Sequence, residues 1–238
     1  MATQVIQNLM NSFQSKLEPP VRTHLKNVYG CVCMATLAAG VAASLGLLYP
    51  SLPFQPGLLT QLGGLGFLVA LMATRNNKQN MLMRFGLLMA VAVCIGLNLI
   101  PLLGIALEVD PSIVVTALLS TSVVFVSFSM CSLLSERGKW LFLGGPLMSF
   151  INLTLMLMLT SLLFGGSSLV FNVNLYVGLL AMCGFVLYDT QLIMEKRRHG
   201  DDDFIAHSVD LFIDLIGIFR RLLIILTKRE QESKNKRK

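Results

Sequence analysis

Between Phe204 and Thr227 an apolar run is interrupted by His207, Asp210, Asp214, Arg220 and Arg221. His207, Asp210, Asp214, Gly217 and Arg221 stand at i, i+3, i+7, i+10 and i+14, one stripe of an α-helix. Leu211, Phe212, Leu215, Ile216, Ile218, Phe219 and Leu222 fill the rest of the circumference. Another acid, Asp189, ends an uncharged run that begins at Asn174. Two carboxylates that meet at low dielectric do not both ionise readily, so they share a proton and titrate in two separated steps. Deprotonated, they form a hard oxygen ligand set that suits Ca²⁺ when carbonyls and waters complete the shell. Asp189 and Asp214 are therefore candidates for a pH sensor and ion gate, with Asp210 as a third acid and His207 as a proton relay. Alternatives stay open: Asp189 as a hydrated helix-end carboxylate, His207 as an ordinary interfacial histidine, and a stripe that lies flat on a membrane surface.

Other groups offer less. Glu108 and Asp110 are the only charges in their connection, with no Lys or Arg beside them, and read as an acidic cation mouth. Asp201-Asp202-Asp203 lacks the ligand spacing and closing Glu of an EF-hand and reads as a solvated turn or helix cap. The five cysteines, Cys31, Cys33, Cys94, Cys131 and Cys183, all fall in apolar segments without a C-x-x-C pair, and buried thiols are expected. Gly63, Gly64 and Gly66 lie in an apolar run with no following Lys, so close helix contact is expected rather than a phosphate loop. No resident metal or cofactor is expected; Ca²⁺ and H⁺ enter as transported or gating ions, Ca²⁺ transiently at Asp189 and Asp214.

The elements that carry these residues belong in lipid. Hydrophobic residues make up 54% of the chain and charged residues 13%, too few charges for a water-facing surface. Six spans are expected, at 28–49, 57–73, 85–107, 112–134, 140–163 and 174–194, with Gly144-Gly145-Pro146 as a kink. Pro50, Pro53 and Pro56 end the first and restart the second. Residues 1–27 lack an apolar signal-peptide core, so the first span serves as insertion signal. Before residue 204 every Lys and Arg falls on one side: Lys16, Arg22, Lys26; Arg75, Lys78, Arg84; Arg137, Lys139; Lys196, Arg197, Arg198. That side is cytosolic by the positive-inside rule, and the N-terminus with it. The seventh segment, 204–227, either spans or re-enters. A half-buried hairpin is favoured because it returns the basic tail to the cytosol. The expected fold is all-α integral membrane, a bundle of six transmembrane helices plus this seventh amphipathic helix. One domain is expected, with 1–27 a cytosolic segment, 28–227 the bundle and 228–238 a cytosolic tail. A net charge of +6 scattered over short loops and a tail does not point to nucleic acid.

Several stretches carry a resemblance. Asn174-Leu175-Tyr176-Val177-Gly178, Met182-Cys183-Gly184-Phe185-Val186-Leu187-Tyr188-Asp189-Thr190-Gln191 and Asp210-Leu211-Phe212-Ile213-Asp214 resemble the signature of the Bax inhibitor-1 family. Met72-Ala73-Thr74, Phe85-Gly86-Leu87-Leu88, Asp110-Pro111-Ser112-Ile113 and Phe142-Leu143-Gly144-Gly145 extend it over nearly the whole chain, closest to animal members. The resemblance implies an endoplasmic reticulum protein that protects against cell death, lowers lumenal Ca²⁺ through a pH-sensitive leak and dampens stress signalling. Its two pH-sensing aspartates fall at Asp189 and Asp214. The arginine latch of some relatives has no matching motif here. Lys234, Lys236 and Lys238 are similar to a dilysine retrieval signal, and equally to a polybasic lipid patch. The expected partners are membrane lipids, Ca²⁺, and Bcl-2-family and stress-sensor proteins. Two further function classes stand beside the leak. One is a non-conducting membrane protein that binds such partners. The other, an intramembrane aspartyl protease, lacks its Gly-x-Gly-Asp loop, Phe212-Ile213-Asp214 standing there, and no enzyme is expected.

Overall fold

A computed structural model describes residues 17–49, 56–165 and 168–236. Lys16, 50–55, Arg237 and Lys238 lie outside the described residues. Among the described residues the chain is helical: α1 Pro19–Leu48, α2 Leu58–Ala73, α3 Met81–Val109, α4 Ser112–Leu134, a 3₁₀ turn at Leu141–Leu143, α5 Gly144–Phe164, α6 Ser168–Arg198 and α7 Phe204–Lys236. A helix stands at each of the six expected spans, and three of them, α1, α3 and α6, are longer than expected. α1 begins at Pro19-Pro20, since proline fits the first turn, where its missing N–H is not needed. Among the described residues five helical stretches are long and apolar enough to cross a membrane. α2, with 16 residues, is shorter, about 24 Å at 1.5 Å per residue. Leu59, Leu82 and Phe164 stand more than 80% exposed, as lipid-facing side chains do.

Contacts divide the chain into two units, four of whose five borders fall inside continuous helices. The unit of Lys26–Leu118, Asp203–Ile213 and Leu223–Lys238 contains α2 packed on α3. Thr60 Oγ1 donates to Asn98 Oδ1 at 3.0 Å across that pair, a polar link where lipid offers none. A Cβ at Gly64 would sit 3.1 Å from Cys94 Cβ, whereas Gly63 and Gly66 face open space, so only one of the three glycines makes the expected contact. The tightest approach to backbone is at Gly96, where an added Cβ would strike Ala39 in α1. Asp203 caps α7, accepting the Ala206 N–H at 3.0 Å. It also binds Arg84, at the start of α3, through two bonds of 2.8 and 2.6 Å. Thirty-one residues after Asp203, Lys234 Nζ donates to the Val109 carbonyl at the other end of α3.

That contact corrects the reading of the last segment. The hairpin favoured on charge grounds is not formed: α7 is one unbroken helix whose two ends touch the two ends of α3. The described part of the tail continues this helix to Lys236, and Lys234 lies at the Asp110 end rather than the Arg84 end. The polar stripe has to be buried along its length, and a helix that turned back would expose part of it.

In the unit of Met1–Leu25, Leu119–Asp202 and Asp214–Leu222, α5 meets α6 through Leu147, Ala181 and Phe185. Gly144-Gly145-Pro146 is a helix start, not a kink: α5 begins at Gly144, and Pro146 occupies its first turn. A Cβ at Gly144 would sit 2.8 Å from the Tyr188 ring. Arg137 donates two bonds to Glu195, at 2.8 and 2.7 Å, and Glu195 also pairs with Arg198. The expectation of buried thiols holds for Cys31 and Cys183; Cys33 and Cys131 are exposed, since a lipid-facing thiol also counts as apolar.

Candidate functional site

The register of α6 against residues 214–222 of α7 is fixed by two close approaches. A Cβ at Gly178 would lie 2.5 Å from Arg221 Nε, and one at Gly217 would lie 2.6 Å from Met182 Sδ. The residue numbers rise along α6 as they fall along α7, so the helices run antiparallel. From the Met182/Gly217 level, Asp214 is three residues away and Asp189 seven, in the same direction. At 1.5 Å per residue their Cα atoms differ by about 6 Å along the axis, roughly one turn. Gly178, Met182 and Asp189 share one face of α6, and Asp214, Gly217 and Arg221 share one face of α7. Asp214 is 4% exposed and Asp189 half-buried. Asp214 lies within electrostatic reach of the Cys183 thiol, one residue beyond Met182.

The rest of the stripe also faces protein. His207 is buried and Asp210 half-buried, while Ile213 and Arg220 on the other side are exposed. A helix lying flat with its charges in water is thus excluded. His207 sits in the first turn of α7, its N–H donating to the Asp203 carbonyl at 3.1 Å, and belongs with Asp210 to the α2–α3 unit. Among the described residues no group of three or more His, Cys, Asp or Glu side chains is arranged to hold a metal.

The acidic mouth differs from expectation. Glu108 is exposed, but Asp110 accepts the Ser112 N–H at 2.8 Å and caps the turn into α4. The Ser112 hydroxyl and N–H hold its carboxyl below the ordinary aspartate range, with a smaller contribution from Lys234. Lys234 of α7 therefore stands near Asp110, where no cation was expected.

Sequence reasoning missed three structural roles. Arg84, 2% exposed and counted only as a positive-inside residue, is the buried partner of Asp203. Its place inside the apolar start of α3 was the available signal, since a buried arginine requires an acid. Gln191, 1% exposed, accepts the Trp140 N–H at 2.8 Å and donates to the Glu136 carbonyl at 2.9 Å. It thus ties the turn after α4 to the helix that carries Asp189. Gly178 leaves room for the Arg221 guanidinium, a pairing that i, i+4 arithmetic within one helix does not reveal.

Comparison with known proteins places these residues in context. The family model described as "Inhibitor of apoptosis-promoting Bax1" matches residues 21–231. The chain is 43% identical to Bax inhibitor 1 of Mus musculus and 42% identical to that of Homo sapiens, in each case over 94% of this chain and 93% of the relative. Bax inhibitor 1 of Drosophila melanogaster is 39% identical over 98% of this chain and 93% of its own length.

Proposed function

Because the chain belongs to the Bax inhibitor-1 family of non-enzymatic, multi-pass, anti-apoptotic membrane proteins, we propose that it restrains cell death as a pH-sensitive Ca²⁺ leak of the endoplasmic reticulum membrane. Asp189 and Asp214 form the gate, in a single multi-span domain whose N-terminus is cytosolic. The observation that carries this reading is the 4% exposure of Asp214 on the α7 face turned to α6, about one helical turn from Asp189. An intramembrane carboxylate out of lipid and water is retained at a cost and marks an ion or proton path. While the two acids share a proton, the helices are held together. Protonation from the cytosol breaks that arrangement and frees the path, with Asp210 or His207 passing the proton to the pair. Ca²⁺ leaving the lumen enters past Glu108 and Asp110. Lower lumenal Ca²⁺ and contacts with Bcl-2-family and stress-sensor proteins then dampen death and stress signals. The retrieval reading of Lys234 and Lys236 is not part of this proposal, since it requires a free cytosolic tail.

Purified protein in Ca²⁺-loaded proteoliposomes tests the gate. Efflux that rises on acidification, and loses that rise in Asp214→Asn, is expected. Efflux with an unchanged pH response in the variant overturns gating by the pair. Efflux no faster than from empty liposomes overturns conduction altogether and leaves the non-conducting interaction protein.

A further inference from the structure

Within the α2–α3 unit, a cavity of about 680 Å³ opens between the start of α1, the turn into α3 and the start of α7. Lys26 and Lys78, both exposed, stand at its rim, and among the described residues lining it there is no acid. Its walls are apolar. Met34, Leu82 and Phe85 contribute side chains, and Met34 and Leu82 are 49% and 82% exposed, so the cavity opens sideways onto the lipid-facing surface. Lys26, Gly30 and Met34 lie at i, i+4 and i+8 of α1, one face leading from the ammonium down into apolar surroundings. Midway along that face Gly30 has no atom within 4 Å of where a Cβ would stand, so the space beside it is open.

We infer that this cavity is a binding site for one anionic phospholipid, its phosphate between Lys26 and Lys78 and an acyl chain running past Gly30 towards Met34. Charge selects the occupant. Two ammonium groups from separate elements, at the level where lipid headgroups lie, attract a negative headgroup, and a zwitterionic one gains little. The apolar wall selects a lipid over a free phosphate, because a soluble anion leaves Met34, Leu82 and Phe85 unsatisfied. The site is separate from the aspartate gate and does not depend on it. It fastens α1, α3 and α7 to an anionic leaflet.

The test uses full-length protein in nanodiscs of equal parts phosphatidylcholine and phosphatidylinositol, released into native mass spectrometry. One retained phosphatidylinositol per chain is expected, preferred roughly thirtyfold over phosphatidylcholine, as two interfacial lysines provide. Lys26→Gln with Lys78→Gln brings the preference close to one. Gly30→Leu, whose side chain enters open space and improves helix propensity, removes the retained lipid without lowering the thermal midpoint. Wild-type protein without preference for phosphatidylinositol overturns the site, as does a lysine double variant that keeps it. Soluble glycerophosphoinositol that displaces the lipid at equal concentration overturns the acyl-chain part and leaves a phosphate site.

Discussion

Asp110 and Asp214 are both acids near the proposed path, and their surroundings assign them different behaviour with pH. Asp110 accepts the Ser112 N–H and hydroxyl, which lower its pKa in the folded protein. A group whose folded pKa is depressed contributes stability above its unfolded value, near 3.9, and loses it as pH falls through the folded value. Between neutral pH and mild acid Asp110 stays ionised throughout. Asp110→Asn should then leave the pH profile of Ca²⁺ efflux in place while lowering its amplitude, whereas Asp214→Asn removes the profile. An efflux titration on both variants checks this, and a shifted profile in Asp110→Asn would move the sensor to the mouth. The stripe from His207 to Arg221 was legible because helical spacing alone puts those residues on one face. Arg84 and Asp203 were not, because they lie 119 positions apart in sequence and only tertiary packing joins them.

Two sites decide how the helices hold together, and they fail by different mechanisms. Arg84 is buried against Asp203, so Arg84→Met leaves an acid without its cation and takes away the bidentate tie on the N-cap of α7. Breaking a buried pair on one side costs about 3–5 kcal/mol. A lowered midpoint in thermal unfolding in detergent is expected, with a smaller drop for Asp203→Asn, whose amide oxygen still caps the helix. At Gly96 an added methyl meets the Ala39 backbone, which cannot swing away. Gly96→Ala should cost about 1–3 kcal/mol by forcing α1 from α3. Gly178→Ala meets only the end of a flexible arginine and should cost well under that. Equal losses at the two glycines would show that the Arg221 guanidinium is as fixed as backbone. Periodicity and hydropathy located every helix, yet they could not separate Gly96 from Gly63 and Gly66. A glycine in an apolar run looks alike whether it faces a neighbour or lipid.

At the scale of the whole molecule, the sequence offers two rules that disagree about the last helix. Charge counting asks the basic tail to stay with the other basic loops. Burial asks the stripe of His207, Asp214 and Arg221 to remain inside protein, which an unbroken helix accomplishes and a hairpin does not. Charge counting weakens here because Glu230 and Glu232 lie among the tail's basic residues, Lys234 meets the Val109 carbonyl beside Asp110, and the earlier spans have already set orientation. The described helix follows burial: it runs unbroken to Lys236, with Lys234 at the Val109 carbonyl. Cysteines placed singly at Asn77, Glu108 and Ser233 and exposed to a membrane-impermeant maleimide in sealed microsomes put this to measurement. Ser233→Cys should react from the same side as Glu108→Cys, and Asn77→Cys from the opposite one. If Ser233→Cys instead shares its side with Asn77→Cys, the helix does not cross. Lys234 would then be free to act as a cytosolic signal, and the acids of α7 would reach the gate from a re-entrant loop.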